Sequence, residues 1–167
     1  ERINVKRRAV DLALFDKRND AGDDGVVREV LTLGPIAVLP AYQKKGLRRR
    51  LIDHARKEAM RQGMHSDFLC GDPLYYSQVG FEPAENFGIR TADNKYFVAL
   101  QICPLQEKRP ESYAGRYSDD AVYNISQEAA FEFDQQFPPK DRLENTPTQE
   151  RLLEIIAMQR PFDGAKR

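Results

Sequence analysis

Between residues 31 and 81 the chain passes from an apolar segment, through a short polar loop with one glycine, into a basic amphipathic stretch and a second apolar segment. This succession constrains the fold more than any other feature. Leu31, Leu33, Ile36 and Val38 form an apolar run that Pro40 ends, because proline cannot donate to a sheet ladder. Leu47, Leu51, Ile52, Ala55 and Ala59 are spaced for one buried face, which predicts a helix over residues 47–62. Gly63 supplies its stop, and residues 64–70 read as a second central strand. A strand, loop, helix and strand in this order bring a helix N-terminus to the edge of a sheet. That arrangement can hold a phosphorylated ligand.

The flanking segments give an α/β chain. Residues 10–15 read as a strand and residues 17–25 as a turn, since Asn, Asp and Gly tolerate turn backbone angles. With the apolar pattern resuming over 26–38, these predict an antiparallel hairpin with a long loop. Gly34 and Pro35 interrupt the alternation, so a disturbed strand with open backbone groups is expected near Pro35. Asp72 and Pro73 begin a short helix that ends near Gly80. Extended structure follows from Phe81, with a strand over 96–103. Residues 106–123 are polar and turn-rich. Ser126 caps a helix to about residue 136, and Pro138 and Pro139 break the chain. Thr146, Pro147 and Gln149 then have the form of a capped helix start. That helix reaches about residue 159, with Leu152, Ile155, Ile156 and Gln159 along one side.

Composition narrows the classes. The chain has 167 residues, 26 basic and 26 acidic, so no global field draws it to nucleic acid or membrane. No apolar run reaches the roughly 20 residues of a membrane helix, and no leader pattern is visible. Cys70 and Cys103 are too far apart for a metal-ligand spacing and read as reduced, buried thiols of a cytoplasmic protein. No metal is expected.

Local charge is another matter. Five of the seven residues from 44 to 50 are Lys or Arg. Cations are unfavourable at a helix N-terminus, where the dipole attracts anions. The misplacement points to a bound anion; on charge alone, a solvated basic face is an equal reading.

The order of particular residues adds to this. Leu33, Gly34, Pro35, Ile36, Ala37 and Val38 are followed by Pro40, Tyr42, Gln43 and Gly46. Later come Gly71, Asp72, Pro73, Tyr75, Tyr76, Gly80 and Phe81. The two blocks, in this order and separation, resemble the acetyl-CoA site of the GNAT superfamily of N-acetyltransferases, over at least residues 10–103. The resemblance implies a mixed, mostly antiparallel central sheet flanked by helices, with a C-terminal helical extension. It divides the chain into an acetyl-CoA-binding core over 1–104, lacking the family's first strand and two helices, and an extension over 105–167 packed on or following it.

The resemblance also implies roles. Ile36, Ala37 and Val38 would pair through their backbone with the amides of pantetheine, as a strand edge pairs with a peptide. Gln43, Lys44, Lys45, Gly46, Leu47 and Arg48 would wrap the pyrophosphate, with Arg49 adding a cation. Tyr76, four residues before Gly80, would protonate the departing thiolate; read without the family, a buried packing aromatic is the commoner role. The acceptor would be an amine-bearing small molecule or protein, with no nucleic acid or membrane partner, and a homodimer stays open.

Departures stand beside these matches. Arg48 occupies a position the family usually fills with Gly or Ala, and Leu69 one often filled by Asn. Thr32 stands where some members carry a catalytic Glu, leaving Glu29 as the nearest candidate base. His54 and His65 read as solvated. Arg48 and the short N-terminal region motivate a second reading: a degenerate or truncated domain that binds CoA or a partner protein without catalysis.

Overall fold

The computed structural model describes residues 15–23, 25, 27–34, 36–105, 114–118, 125–139, 141 and 143–164, and for residues 15–22, 28 and 29 the backbone alone. The expectations for residues 1–14 and for Pro35 lie outside the described residues, as do those for 106–113 and 119–124.

Strands β1 (Phe15–Gly22) and β2 (Val27–Leu33) pair antiparallel, from Phe15 opposite Leu33 to Ala21 opposite Val27. The expected turn over 17–25 is therefore strand as far as Gly22, with a turn described at Asp23. A paired neighbour supplies the ladder that Asn19 and Asp20 disfavour in isolation. From β2 the chain crosses through helix α1 (Leu47–Arg61) to β3 (Ser66–Cys70), which lies parallel to β2 with Leu31 opposite Asp67. A parallel pair needs such a crossover, and α1 provides it.

A short helix α2 (Pro73–Tyr76) and a 3-10 turn over Ser77–Val79 lead to β4 (Glu82–Pro83). Next come β5 (Ile89–Thr91), β6 (Lys95–Tyr96) and β7 (Leu100–Pro104). The single strand expected over 96–103 is thus two, because a turn closed by Leu100 N–H on Phe97 O (2.9 Å) separates β6 from β7. Strand β8 (Gly115–Tyr117) lies within the stretch read as turn-rich. It pairs antiparallel with β1 and parallel with β5. Among the described residues the main sheet has seven strands in the order β4-β7-β3-β2-β1-β8-β5, mostly antiparallel. Strand β8 joins it from beyond residue 104.

Each face of the sheet buries its own apolar layer. Val30, Phe68, Ala84, Ile89, Leu100, Ile102 and Tyr117 form one. Leu33, Leu69, Phe81 and Cys103 form the other, against Ile52 and Ala55 of α1. Alternation along β3 sends Phe68 to the first layer and Leu69 to the second. Each large side chain so buried stabilises the fold by about 1.5–3 kcal/mol, and this fixes α1 across β2 and β3.

Beyond the sheet lie α3 (Gln127–Asp134), α4 (Pro147–Ala157) and β9 (Arg160–Pro161). Ser126 caps α3 through Ala129 N–H, yet α3 buries no residue. Thr146 and Gln149 form the expected capping box of α4. Of the apolar side expected for α4, Ile155 is buried, while Leu152 and Ile156 are exposed. Strand β9 pairs with β6 and ties the chain's end to the sheet domain. Neither cysteine is in a disulfide, and Cys70 is exposed rather than buried. None of the described helices is long and apolar enough to cross a membrane.

Candidate active site

The basic loop is built from backbone up. Strand β2 stops at Leu33, short of the disturbed strand expected to reach Val38. Among the described residues, the N–H groups of Ile36, Ala37 and Val38 make no backbone hydrogen bond. The chain then turns over Pro40–Tyr42. Gln43 closes this turn by donating its Nε2 to Val38 O (3.0 Å). Lys45 folds back, its Nζ donating to Ala41 O (2.9 Å) and lying 5.5 Å from the Tyr42 ring centroid.

Lys44 (φ 58°) and Gly46 (φ 73°) are both left-handed, which aims the chain into α1. Gly46 is the N-cap and offers no side-chain acceptor. The first helical bond is Arg50 N–H to Gly46 O (3.1 Å), so the N–H groups of Leu47, Arg48 and Arg49 lie at the open helix end. No acidic residue stands in this first turn. A Cβ built on Gly46 would meet nothing within 4 Å. The loop therefore presents open donors, cations and space, which suits a phosphate.

The tyrosine turn is built in the opposite manner. Asp72 caps α2 by accepting from Leu74 N–H (3.0 Å). Tyr76 is half-buried, edge-on to Tyr75 (centroids 5.0 Å apart) and to Phe81 (5.8 Å). Its ring lies against the backbone of Gly71: a Cβ there would fall 2.3 Å from Cε2 of Tyr76. Burial pushes the Tyr76 phenol up, offset in part by the nearby Arg48 cation. The phenol so keeps its proton at neutral pH.

Arg48 joins the two regions. Its guanidinium stacks 4.6 Å from the Tyr75 ring centroid. The structure thus brings the helix end and the tyrosine turn together through one side chain. Asp67 and Arg56 are further polar groups here, and nothing in the sequence reading singled them out. Asp67 is fully buried on β3, and among the described residues neither of its carboxylate oxygens has a hydrogen-bond partner. Burial pushes it up to about 7, against the lowering pull of Arg56. Arg56 in turn lies 4.7 Å from the Phe81 ring centroid. A single acid directly before the apolar run Phe68–Cys70 was the available signal.

Other candidates lie elsewhere. Thr32 and Tyr117 are both buried and share a hydrogen bond of 2.8 Å between their hydroxyls. Leu69 is core, and His54 and His65 are exposed. The side chain of Glu29 lies outside the described residues. Among the described residues no cluster of His, Cys, Asp or Glu could hold a metal ion.

Comparison with known proteins bears on the same stretch. Residues 12–81 match the model of the acetyltransferase (GNAT) family. An uncharacterized N-acetyltransferase of Escherichia coli K12, YjhQ, is 34% identical over 77 residues, covering 46% of this chain and 41% of that protein. The structure of the GNAT family N-acetyltransferase YhbS from Escherichia coli, solved in complex with CoA, superposes with a TM-score of 0.59. The identity is 24%, covering 66% of this chain and 60% of the other. Each match thus spans less than two thirds of the relative. Residues 12–81, whose loop and tyrosine turn form the site just described, are thus the stretch that is similar to GNAT acetyltransferases.

Proposed function

We propose that the chain binds acetyl-CoA and transfers its acetyl group to a primary amine. The single observation carrying this reading is the Arg48–Tyr75 stack, which sets an anion-friendly helix end beside a protonated phenol. The residues present fit such a ligand. The space at Gly46 and the open N–H groups of Leu47, Arg48 and Arg49 suit a pyrophosphate. Lys44 and Arg49 add charge. The N–H groups of Ile36, Ala37 and Val38 suit pantetheine amides, and one of them suits the thioester oxygen as negative charge develops on it. Gln43 and Lys45 act by holding the loop closed.

Bound acetyl-CoA supplies an activated acyl group. The amine nitrogen bonds to the acyl carbon as the carbon–sulfur bond breaks, and the amine gives up its proton to solvent. Tyr76 passes its phenolic proton to the departing sulfur and recovers one from water. CoA thiol and an acetamide leave.

The test pairs calorimetry with CoA and a thiol-release assay over a panel of small amines and peptide N-termini. Tyr76→Phe is expected to lower kcat by about 10²-fold or more while CoA affinity stays unchanged. Unchanged turnover would remove Tyr76 from the chemistry. CoA binding with no release from any amine would favour a non-catalytic CoA-binding module instead.

A further inference from the structure

Asp72 receives a second partner besides Leu74 N–H. Arg151, 79 residues further along on α4, donates Nε to Asp72 Oδ2 (3.0 Å) and Nη2 to Asp72 Oδ1 (3.1 Å). This is a bidentate pair, the geometry in which the planar guanidinium recognises a carboxylate best. Glu154 accepts from Nη1 of the same guanidinium (2.9 Å) and holds it in place. The Arg151 pair keeps the Asp72 carboxyl below its usual range.

Helix α4 is not a loose partner. Its start is fixed by the Thr146–Gln149 capping box. Its C-terminal end runs into β9, which pairs with β6. Arg160 is bound to Glu85 at 3.0 Å, and Phe162 N–H donates to Asn94 O (3.1 Å). The helix therefore delivers Arg151 to Asp72 from a fixed frame. Asp72 follows Gly71, the residue on which the Tyr76 ring rests, and caps the four-residue helix that carries Tyr76.

We infer that α4 is a working part of the proposed transfer site, with Arg151 the positioning residue that holds Tyr76 in place through Asp72. The inference rests on the transferase reading for its kinetic consequence. Both partners are about a third exposed, and such pairs add roughly 0–1 kcal/mol to stability. The consequence of losing Arg151 is therefore expected in the placement of Tyr76 and not in folding. Small misplacements of a reacting group lower rates by about 10–10²-fold.

The experiment uses the full chain, ¹³C-labelled on tyrosine, with the Tyr76 ring signal assigned through Tyr76→Phe. Arg151→Ala should shift that signal without substrate and lower kcat about tenfold, leaving KM for acetyl-CoA unchanged. Arg151→Lys should recover only part of the rate, because an ammonium cannot make the bidentate pair. In the Tyr76→Phe background Arg151→Ala should cost nothing further, since it acts through the missing hydroxyl. Thr146→Ala is the structural control: it weakens α4 but leaves the ion pair, so the Tyr76 signal and kcat should hold. An unmoved Tyr76 signal in Arg151→Ala, or full additivity with Tyr76→Phe, overturns the inference. If the native chain releases no thiol with any amine, the transferase reading fails, while the ring signal still decides whether Arg151 positions Tyr76.

Discussion

Gly46 and Gly71 stand at the two ends of the candidate site, and each is glycine for a different reason. Gly46 has φ 73° and open space around its α-carbon. The backbone conformation requires it, and so does any phosphate that approaches the loop. Gly71 instead lies under a ring that a Cβ would strike. The loop is exposed, is held by Gln43 and Lys45, and offers unpaired donors. The tyrosine turn is packed against Phe81 and Tyr75, and Phe81 lies against Arg56, whose charge acts on the buried Asp67. An end that binds a highly charged ligand benefits from access and open N–H groups. An end that donates one proton benefits from a fixed ring in a drier setting. The same stretch, residues 31–81, holds both because α1 starts in the loop and packs its next turns against the tyrosine turn.

The largest effect expected from this contrast falls on the packed end and is set by pH. The folded chain holds Asp67 protonated up to about pH 7, well above the unfolded value. The stability associated with its proton is full below about pH 4 and is lost as pH rises through 7. The slope is about 1.4 kcal/mol per pH unit, so the loss reaches about 4 kcal/mol at most. Urea unfolding of the native chain at pH 5 and pH 8 should show this decline, and Asp67→Asn should flatten it. Equal slopes in both proteins would mean that Arg56 fully compensates the ionised carboxylate. Next in size is Gly71→Ala. The Tyr76 ring must move, which should lower stability by about 1–3 kcal/mol and reduce thiol release more than it weakens CoA binding. A variant with native turnover would show that Tyr76 tolerates displacement and would blur the contrast.

Much of the open end was legible in the residues, and much of the packed end was not. The loop declared itself because Pro40, Gly46 and the run of cations act locally. The predicted helix over 47–62 matches Leu47–Arg61 for the same reason: its apolar spacing is a local signal. The start of α4 was readable from Thr146, Pro147 and Gln149, again within one turn. The hairpin was expected, but its turn was placed over strand residues because Asn19 and Asp20 favour turns until a neighbouring strand pairs with them. Strand β8 was missed because three residues between β1 and β5 carry no period of their own. Arg56, Asp67 and Arg151 acquire meaning only through partners far away in sequence. The pair of Arg151 with Asp72 spans 79 residues, and no local pattern marks it.

The smaller effects test the open end. Gly46→Ala meets no steric obstacle, so its cost is conformational, about 1 kcal/mol for a left-handed non-glycine residue. CoA affinity should fall with it as the methyl group holds phosphate off the backbone. This is the reverse of Gly71→Ala, which should affect turnover more than binding. The smallest effect is that of Lys44→Ala combined with Arg49→Ala. Both side chains are exposed, so their removal should change folding stability by less than about 0.5 kcal/mol. On the proposed reading their contribution to CoA binding would be long-range attraction in water, which salt screens over about 10 Å at 0.1 M. Calorimetry at 0.02 M and 0.3 M salt should therefore show a several-fold affinity loss at low salt that narrows at high salt. In the proposed complex the helix-end N–H donors would lie close to the ligand and should keep most of their effect at both concentrations. A loss that stays constant with salt would mean that Lys44 and Arg49 contact the phosphates directly, and would make the loop a built pocket like the tyrosine turn.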